Sequence, residues 1–293
     1  MLELLAPAKL NLGLEVIRKR DDGYHDLTTM FCAVSLFDKI RIHRSATDAL
    51  VVSDPALRDG NLILRALDLW DAAGLNRPAL EIILRKRIPA AAGLGGASSD
   101  AAAVIRALAE SSDFGTGAPE VTSLAARLGS DVPYFLRGGR AIGEGRGDLL
   151  RPLPYIRLAA VIITPALEIA DKTRSMYAAL GPDDFSDGSR LQRLIEEPYL
   201  IFDRRDASMP NAFERPLYAF YPELASVAAA IRVATGQIPS VSGAGPSLYL
   251  LARTLREAHD MRRIVAGLNL AVPCALFCVR AIRSNAGFAK RRG

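Results

Sequence analysis

Cysteine is scarce in this chain. Cys32, Cys274 and Cys278 are the three that 293 residues contain, an odd number that excludes a complete disulfide framework. Cys274 and Cys278 fall on one face of the strand-like "PCALFCV" with no histidine beside them in sequence, so buried free thiols are expected there and no structural zinc. Long apolar runs are lacking too: "LAAVIITPALEIA" and "AVPCALFCV" are short and broken by proline, below the length of a membrane span. "MLELLAPAKL" has neither the basic start nor the long apolar middle of a signal peptide, so no membrane is expected as a partner and the cytoplasm is the expected compartment. Aromatic residues make up 6% and do not interleave with a basic run, which argues against a nucleic-acid groove.

Half of the residues are apolar, enough for a sizeable core in one large or two ordinary domains. A net charge of +5 points to an anionic partner, although "AKRRG" at the C-terminus carries three of those charges. Small phosphorylated ligands suit this balance better than nucleic acid.

"LLAPAKLNLGLEVI" alternates as a strand, with Ala8, Leu10, Leu12, Leu14 and Val16 on one face and Lys9, Asn11, Gly13 and Glu15 on the other. "DGYHDL" reads as a turn that leaves His25 in an exposed loop. "TTMFCAVSLFDKIRIHRS" and "ALVVSD" read as strands, "NLILRALDLWDAAG" as an amphipathic helix closed by Gly74, and "ALEIILRKRIP" as a strand ending at Pro89. The run "SSDAAAVIRALAES" predicts a helix with Ala101, Val104, Ile105 and Leu108 as its apolar stripe. "PEVTSLAARLG" is a further helix, and "RAIGEGRGDLLRPLP" a strand followed by a crossing, with a domain boundary near residues 150 to 156. Beyond it come a strand "IRLAAVIITP", a helix around "KTRSMYAALG", a polar loop-rich stretch from 181 to 210, a helix "PELASVAAAIRVATG", a strand "SVSGAGPSLYLLA", a helix "LREAHDMRRIVAGL" and a strand "CALFCVRAIR". Strands cluster early instead of alternating with helices, so an α+β arrangement of two domains is expected.

Between the strand ending at Pro89 and the alanine-rich helix lies "PAAAGLGGASSD". Glycines at 93, 95 and 96 strip Cβ atoms from a tight turn, so backbone N–H groups converge on a point that the positive end of the helix also faces. Such a loop either cradles a phosphate or merely turns the chain. It is not a Walker A sequence, since no Gly-Lys-Ser/Thr follows, nor a dinucleotide fingerprint, since Ser98 stands where the third glycine belongs.

Together with "APAKLNLGL" and a second glycine loop, "SVSGAGPSLYLL", this segment resembles the three motifs of the superfamily of galactokinase, homoserine kinase, mevalonate kinase and phosphomevalonate kinase. The likeness covers nearly the whole chain. "PAKLNLGLEVIRKRDDGYHDLTTMF" and "LGSDVPYFLRGGRAIGEGRGD" resemble more narrowly the branch acting on 4-diphosphocytidyl-2-C-methyl-D-erythritol in the non-mevalonate isoprenoid pathway. That resemblance implies transfer of the γ-phosphoryl group of ATP, with Mg2+, to the substrate's 2-hydroxyl. It implies a GHMP kinase fold: a ribosomal-protein-like β/α domain over 1–153, a ferredoxin-like α/β domain over 154–293, and an active site between them.

By the same resemblance, Asp131 is the base and Lys9 the charge stabiliser beside it. ATP falls to Asn61 near adenine and to the loop Pro89, Ala90, Ala91, Ala92, Gly93, Leu94, Gly95, Gly96, Ala97, Ser98 and Ser99, with Ser98 or Ser99 also meeting magnesium. The substrate side is Asn11, Tyr24, His25, Thr173, Tyr177, Gly243 and Gly245, with Tyr24 and Tyr177 on either side of the cytosine. Structural readings stand beside these: Asp131, Asn61, Ser98 and Ser99 as helix N-caps, Lys9 on a solvated strand face, and the tyrosines and histidine as packing residues. Two departures from the family pattern are visible. Ala97 replaces a third glycine and needs an ordinary backbone angle, and Ala212 stands in "NAFE" where an acid is frequent, so no chemistry is assigned there.

The alternatives are a homoserine- or mevalonate-type kinase without a cytosine pocket, a nucleotide-binding regulator without turnover, and a basic RNA-binding module. The partners expected are small molecules, with the chain a monomer or homodimer.

Overall fold

The structure, a computed structural model, describes residues 1–112, 115–167, 172–203, 208–284 and 289–291. Two long antiparallel strands, β1 (Leu2–Lys19) and β2 (His25–Arg44), open the chain and carry the first sheet. There follow β3 (Ala49–Val52), α1 (Leu62–Ala72), β4 (Leu80–Arg85), α2 (Gly96–Ser111), α3 (Pro119–Leu128), α4 (Val132–Arg137), β5 (Arg140–Glu144) and β6 (Leu149–Leu153). The second half holds β7 (Ala159–Pro165), α5 (Lys172–Ala178), α6 (Ser189–Glu196), α7 (Glu214–Phe220), α8 (Pro222–Thr235), β8 (Ser240–Val241), β9 (Leu248–Ala252), α9 (Leu255–Ala266), β10 (Cys274–Arg280) and β11 (Ala289–Arg291).

The first sheet runs β11-β1-β2-β4-β3, with β5 paired to the Thr29–Cys32 part of β2 and β6 paired to β5. The second runs β10-β7-β9-β8, all antiparallel. Helices α1 to α4 cover the first sheet. In α1, Ile63, Ala66, Leu67 and Trp70 recur at helical spacing and are buried, while Asn61 caps the start by accepting from the Ile63 N–H at 3.0 Å. The expected stripe on α2 is wider than foreseen: every residue from Ser99 to Ala109 is buried. Alanines on its remaining faces let α1, α3, α4 and β1 close in around it.

The sheets meet through a shared core. Ala8, Leu10 and Leu12 of β1 and Cys32 and Val34 of β2 pack with Leu158, Ala160 and Ile162. Val161 and Ile163, on the other face of β7, pack with Val227, Ile231, Ala258 and Val265 from α8 and α9. β7 is therefore buried on both faces, the reason it reads as a continuous apolar run. The first sheet's strands pause at Leu153 and the second sheet begins at Ala159, while β11 returns to pair Arg291 with Leu2. We propose domains of 1–153 and 154–293 on this basis, with β11 lent by the second to the first sheet.

Several sequence expectations change. The β4 strand stops at Arg85 and leaves residues 86–89 to the loop. "RAIGEGRGDLLRPLP" is a hairpin of two strands. "SVSGAGPSLYLLA" is two strands split by the glycine turn. The stretch 181–210, of which 204–207 lie outside the described residues, contains α6, whose buried side is only Leu191 and Leu194. α7 follows it unforeseen. Cys32 is a buried free thiol, but Cys274 and Cys278 are only half-buried. Among the described residues, no helix is long and apolar enough to cross a membrane.

Candidate active site

A cleft of about 940 Å³ opens where the two glycine loops, the start of α2, β1 and α5 converge. Its floor is held by hydrogen bonds to backbone carbonyls: Lys9 N–H donates to the Leu94 carbonyl at 3.0 Å, Ser247 N–H to the Ala92 carbonyl at 3.2 Å, and the Ser242 hydroxyl to the Gly93 carbonyl at 3.0 Å. Gly93 has φ +79°, and a Cβ there would lie 2.2 Å from the Ser242 carbonyl oxygen and 2.8 Å from that of Gly245. Only glycine lets the two loops touch backbone to backbone. Helix α2 starts at Gly96 with no side-chain cap, so its first N–H groups and its positive end face this space.

Pro89, Ala90, Ala91, Ala92, Gly93, Gly95, Gly96, Ala97 and Ser98 line the cleft, whereas Leu94 and Ser99 are buried beneath it. Ala97 lies in the first turn of α2, at the ordinary angle its methyl needs. Ala91 holds φ +51°, a left-handed angle the sequence did not signal. The two serines differ: Ser98 reaches the cleft, while the Ser99 hydroxyl is buried without a hydrogen-bond partner among the described residues. The Ser98 hydroxyl, facing the cleft, fits a hard cation such as magnesium, which takes most of its ligands from phosphate and water.

Asp131 stands at the N-cap position of α4, yet its backbone is helical (φ −82°, ψ −18°) and its side chain makes no capping bond. Its Oδ2 is instead 3.6 Å from Lys9 Nζ. Lys9 is 4% exposed, so it does not lie on a solvated face. Its ammonium stands 5.6 Å from the centre of the Phe31 ring and donates to Asn11 Oδ1. The capping reading of Asp131 and the surface reading of Lys9 both fail on these contacts.

Asn11 is held on every side. Its N–H donates to the Ser242 hydroxyl (3.3 Å), its carbonyl accepts from Tyr249 Oη (2.9 Å), and its Nδ2 donates to Thr29 Oγ1 (2.8 Å). Asn61 combines the N-cap bond with a place on the cleft wall. Thr173 and Tyr177, four apart on α5, also line the cleft, as does Gly243; Gly245 lies behind it, against Leu217.

His25 is a correction. It begins β2 and is buried, stacked on Tyr177 with ring centres 5.0 Å apart and edge-on to Phe185 at 6.1 Å. The turn was legible, but the ring contacts supplied by the second half of the chain were not. Burial, and secondarily the Lys19 charge, hold its imidazole below the usual histidine range. Tyr24 is exposed, outside the cleft lining, with the Arg146 guanidinium 5.0 Å over its ring. Tyr177 meets Phe213 edge-on at 4.9 Å, and burial followed by the charge of Asp131 pushes its hydroxyl pKa up.

Other contributors were assigned no role from the sequence. Asn211 donates to the carbonyls of Val241 and Gly243 at 2.9 Å each, tying "NAFE" to the second glycine loop. Beneath the phosphate loop, Lys86 Nζ bridges Asp38 (2.5 Å) and Asp100 (2.8 Å), and Asp38 also accepts from the N–H groups of Arg87 and Ile88. Burial first, then the Asp38 charge, push the Asp100 carboxyl well above the usual carboxylate range. Two buried carboxylates sharing one ammonium disfavour a second negative charge there. The cleft thus presents Lys9, Lys86, Arg146 and Arg174 against Asp59, Asp100 and Asp131, a balance that suits phosphate.

Residues 61–139 match the family model described as the GHMP kinases N terminal domain. A solved homoserine kinase from Cytophaga hutchinsonii shares the fold at a TM-score of 0.67, with 18% identity over 99% of this chain and 96% of that one. The fold is that of the GHMP kinases. A kinase named 4-diphosphocytidyl-2-C-methyl-D-erythritol kinase in Dehalococcoides mccartyi is 38% identical over 268 residues, 89% of this chain and 93% of the relative. A crystal structure of 4-(cytidine 5'-diphospho)-2C-methyl-D-erythritol kinase superposes with a TM-score of 0.74 at 33% identity, covering 94% of this chain and 98% of that one. The chain belongs to the 4-diphosphocytidyl-2-C-methyl-D-erythritol kinase family.

Proposed function

We propose that this enzyme transfers the γ-phosphoryl group of ATP to the 2-hydroxyl of 4-diphosphocytidyl-2-C-methyl-D-erythritol, a step of the non-mevalonate isoprenoid pathway. The observation that carries the reading is the Lys9–Asp131 pair, 3.6 Å apart, facing a glycine loop that opens a helix. In the reaction the hydroxyl oxygen attacks the γ-phosphorus as its bond to the ADP oxygen breaks, and the hydroxyl proton passes to Asp131. Lys9 offsets charge on the carboxylate and on the moving phosphoryl oxygens. The amides at residues 93–98 and the N-terminus of α2 hold the ATP phosphates, with Asn61 on the nucleotide side.

Ser98 is the hydroxyl that would hold magnesium. The ion would supply neutralisation of phosphate charge there. Tyr177, on the cleft wall, with His25 beside it, would receive the cytosine, whose binding energy positions the methylerythritol end. The His25 ring nitrogens would hydrogen-bond the edge of the base. The reading places the protein in the cytoplasm, in keeping with free cysteines in the chain.

The test is a substrate panel with ATP: the cytidylyl substrate, homoserine and mevalonate, each assayed for ADP release and a phosphorylated product. Turnover confined to the cytidylyl substrate is expected. Turnover of homoserine or mevalonate in its place would return the chain to another branch of the superfamily.

A further inference from the structure

Strand β1 carries one more residue than β2 beside the catalytic lysine. Asn11 pairs with Phe31 and Leu14 with Thr29, so three steps along β1 oppose two along β2, and the bulge falls at Leu12 and Gly13. Gly13 takes φ +124° there, and a Cβ on it would lie 2.2 Å from the Leu191 side chain of α6. The bulge turns the Gly13 carbonyl toward Thr29, whose hydroxyl donates to it at 2.8 Å. Thr29 is 1% exposed, yet it borders the cleft.

The direction of that bond matters. A threonine hydroxyl has one proton. With the proton given to Gly13, Thr29 Oγ1 can only accept from Asn11, which requires the NH2 side of the Asn11 amide at Thr29. The oxygen side must then face Lys9, where it accepts from the ammonium. Reversing the amide would set an NH2 group against the ammonium and leave two donors facing each other. The Thr29 hydroxyl and the Lys9 ammonium thus enforce one polarity on a chain that runs from the Gly13 carbonyl through Thr29 and Asn11 to Lys9 and ends on Asp131.

We propose that Thr29 is a positioning residue for phosphoryl transfer: anchored on the β1 bulge, it locks the Asn11 amide so that its oxygen holds the Lys9 ammonium against Asp131. The proposal rests on the kinase reading above for its effect on turnover, but not for its effect on Asn11. Thr29→Val keeps the shape of the side chain and removes the hydroxyl, while Thr29→Ser keeps the hydroxyl and removes the methyl.

The experiment measures kcat and both Michaelis constants with ATP and the cytidylyl substrate. It also measures hydrogen exchange of the Asn11 side-chain amide by NMR in the free protein, with the signal assigned by its loss in Asn11→Ala. Thr29→Val is expected to lower kcat about tenfold, the scale of one or two lost hydrogen bonds, with the Michaelis constant for ATP within about twofold of the parent. Its Asn11 amide should exchange about tenfold faster. Thr29→Ser should restore both quantities. Equal kcat and equal exchange in the Val and Ser variants would overturn the proposal, as would a loss in Thr29→Val that Thr29→Ser does not rescue. If Thr29→Val does not fold, Thr29→Ala is read in its place against the same criteria. A parent enzyme inert on the cytidylyl substrate, with Asn11 exchange still controlled by the Thr29 hydroxyl, would sink the substrate reading and leave the Thr29 lock standing.

Discussion

The two ends of the cleft are built from different materials. At the reacting end, Lys9, Asn11 and Asp131 are tied into a hydrogen-bonded and ionic chain that reaches both glycine loops. At the aromatic end, Tyr177 and Phe213 of the cleft lining meet edge-on, and His25 and Phe185, outside that lining, join them through ring faces and edges. The difference follows from what each end must do. A group that removes a proton works within a few tenths of an ångström, and polar networks in a dry site hold that geometry. A base without a chemical role needs area and shape, which aromatic rings supply while tolerating small shifts.

The contrast is broken most directly at the reacting end. Asp131→Asn keeps the size of the side chain and removes the proton acceptor, so turnover should fall by roughly a hundredfold or more, the scale for losing a positioned base. ATP affinity, measured by calorimetry, should hold, because the loop that binds phosphate does not depend on this carboxylate. Near-normal turnover would mean that the pair with Lys9 is structural and the base lies elsewhere.

A smaller effect is expected at the aromatic end. Tyr177→Ala should raise the Michaelis constant for the cytidylyl substrate by roughly fivefold to a hundredfold while that for ATP stays put, since stacking on one ring is worth about 1–3 kcal/mol. Tyr177 also packs on Phe213, so the melting temperature must be read alongside. A stable variant with unchanged cytidylyl affinity would remove Tyr177 from the base site. A variant that melts early and weakens both substrates would make it a packing residue of α5.

The same contrast marks what could be read from the sequence. Lys9 and Asn11 were legible as neighbours on one face because alternation in a strand is local, and the glycine loop was legible because few sequences place three glycines between a strand and a helix. Thr29, Lys86 and Asn211 were not. Their roles exist only where strands or loops far apart in sequence come together: a bulge seen from β2, two carboxylates from β2 and α2, and a carbonyl pair from the second glycine loop. His25 failed for the same reason, since its stacking partner sits on α5. Helix α6 escaped notice because two buried leucines make too thin a stripe to show a period.

The smallest effect lies under the phosphate loop, where Asp100 serves neither end by direct chemistry and tests whether the floor of the cleft carries one negative charge or two. Burial, chiefly, and then the Asp38 charge raise its carboxyl pKa. A raised carboxyl binds its proton more tightly in the folded chain than in the unfolded one. Its contribution to stability is therefore complete below the unfolded value of about 3.9 and is lost as the pH climbs through the folded value. Asp100→Asn keeps an oxygen for Lys86 and has no proton to lose. It should match the parent near pH 4 and outlast it at neutral pH, by roughly 2–4 °C in Tm if the gain is near 1 kcal/mol. Melting curves from pH 4 to pH 8 read the divergence. A variant that melts earlier than the parent at neutral pH would show that Lys86 requires both carboxylates ionised, and the loop floor would then repel the phosphates it is placed to hold.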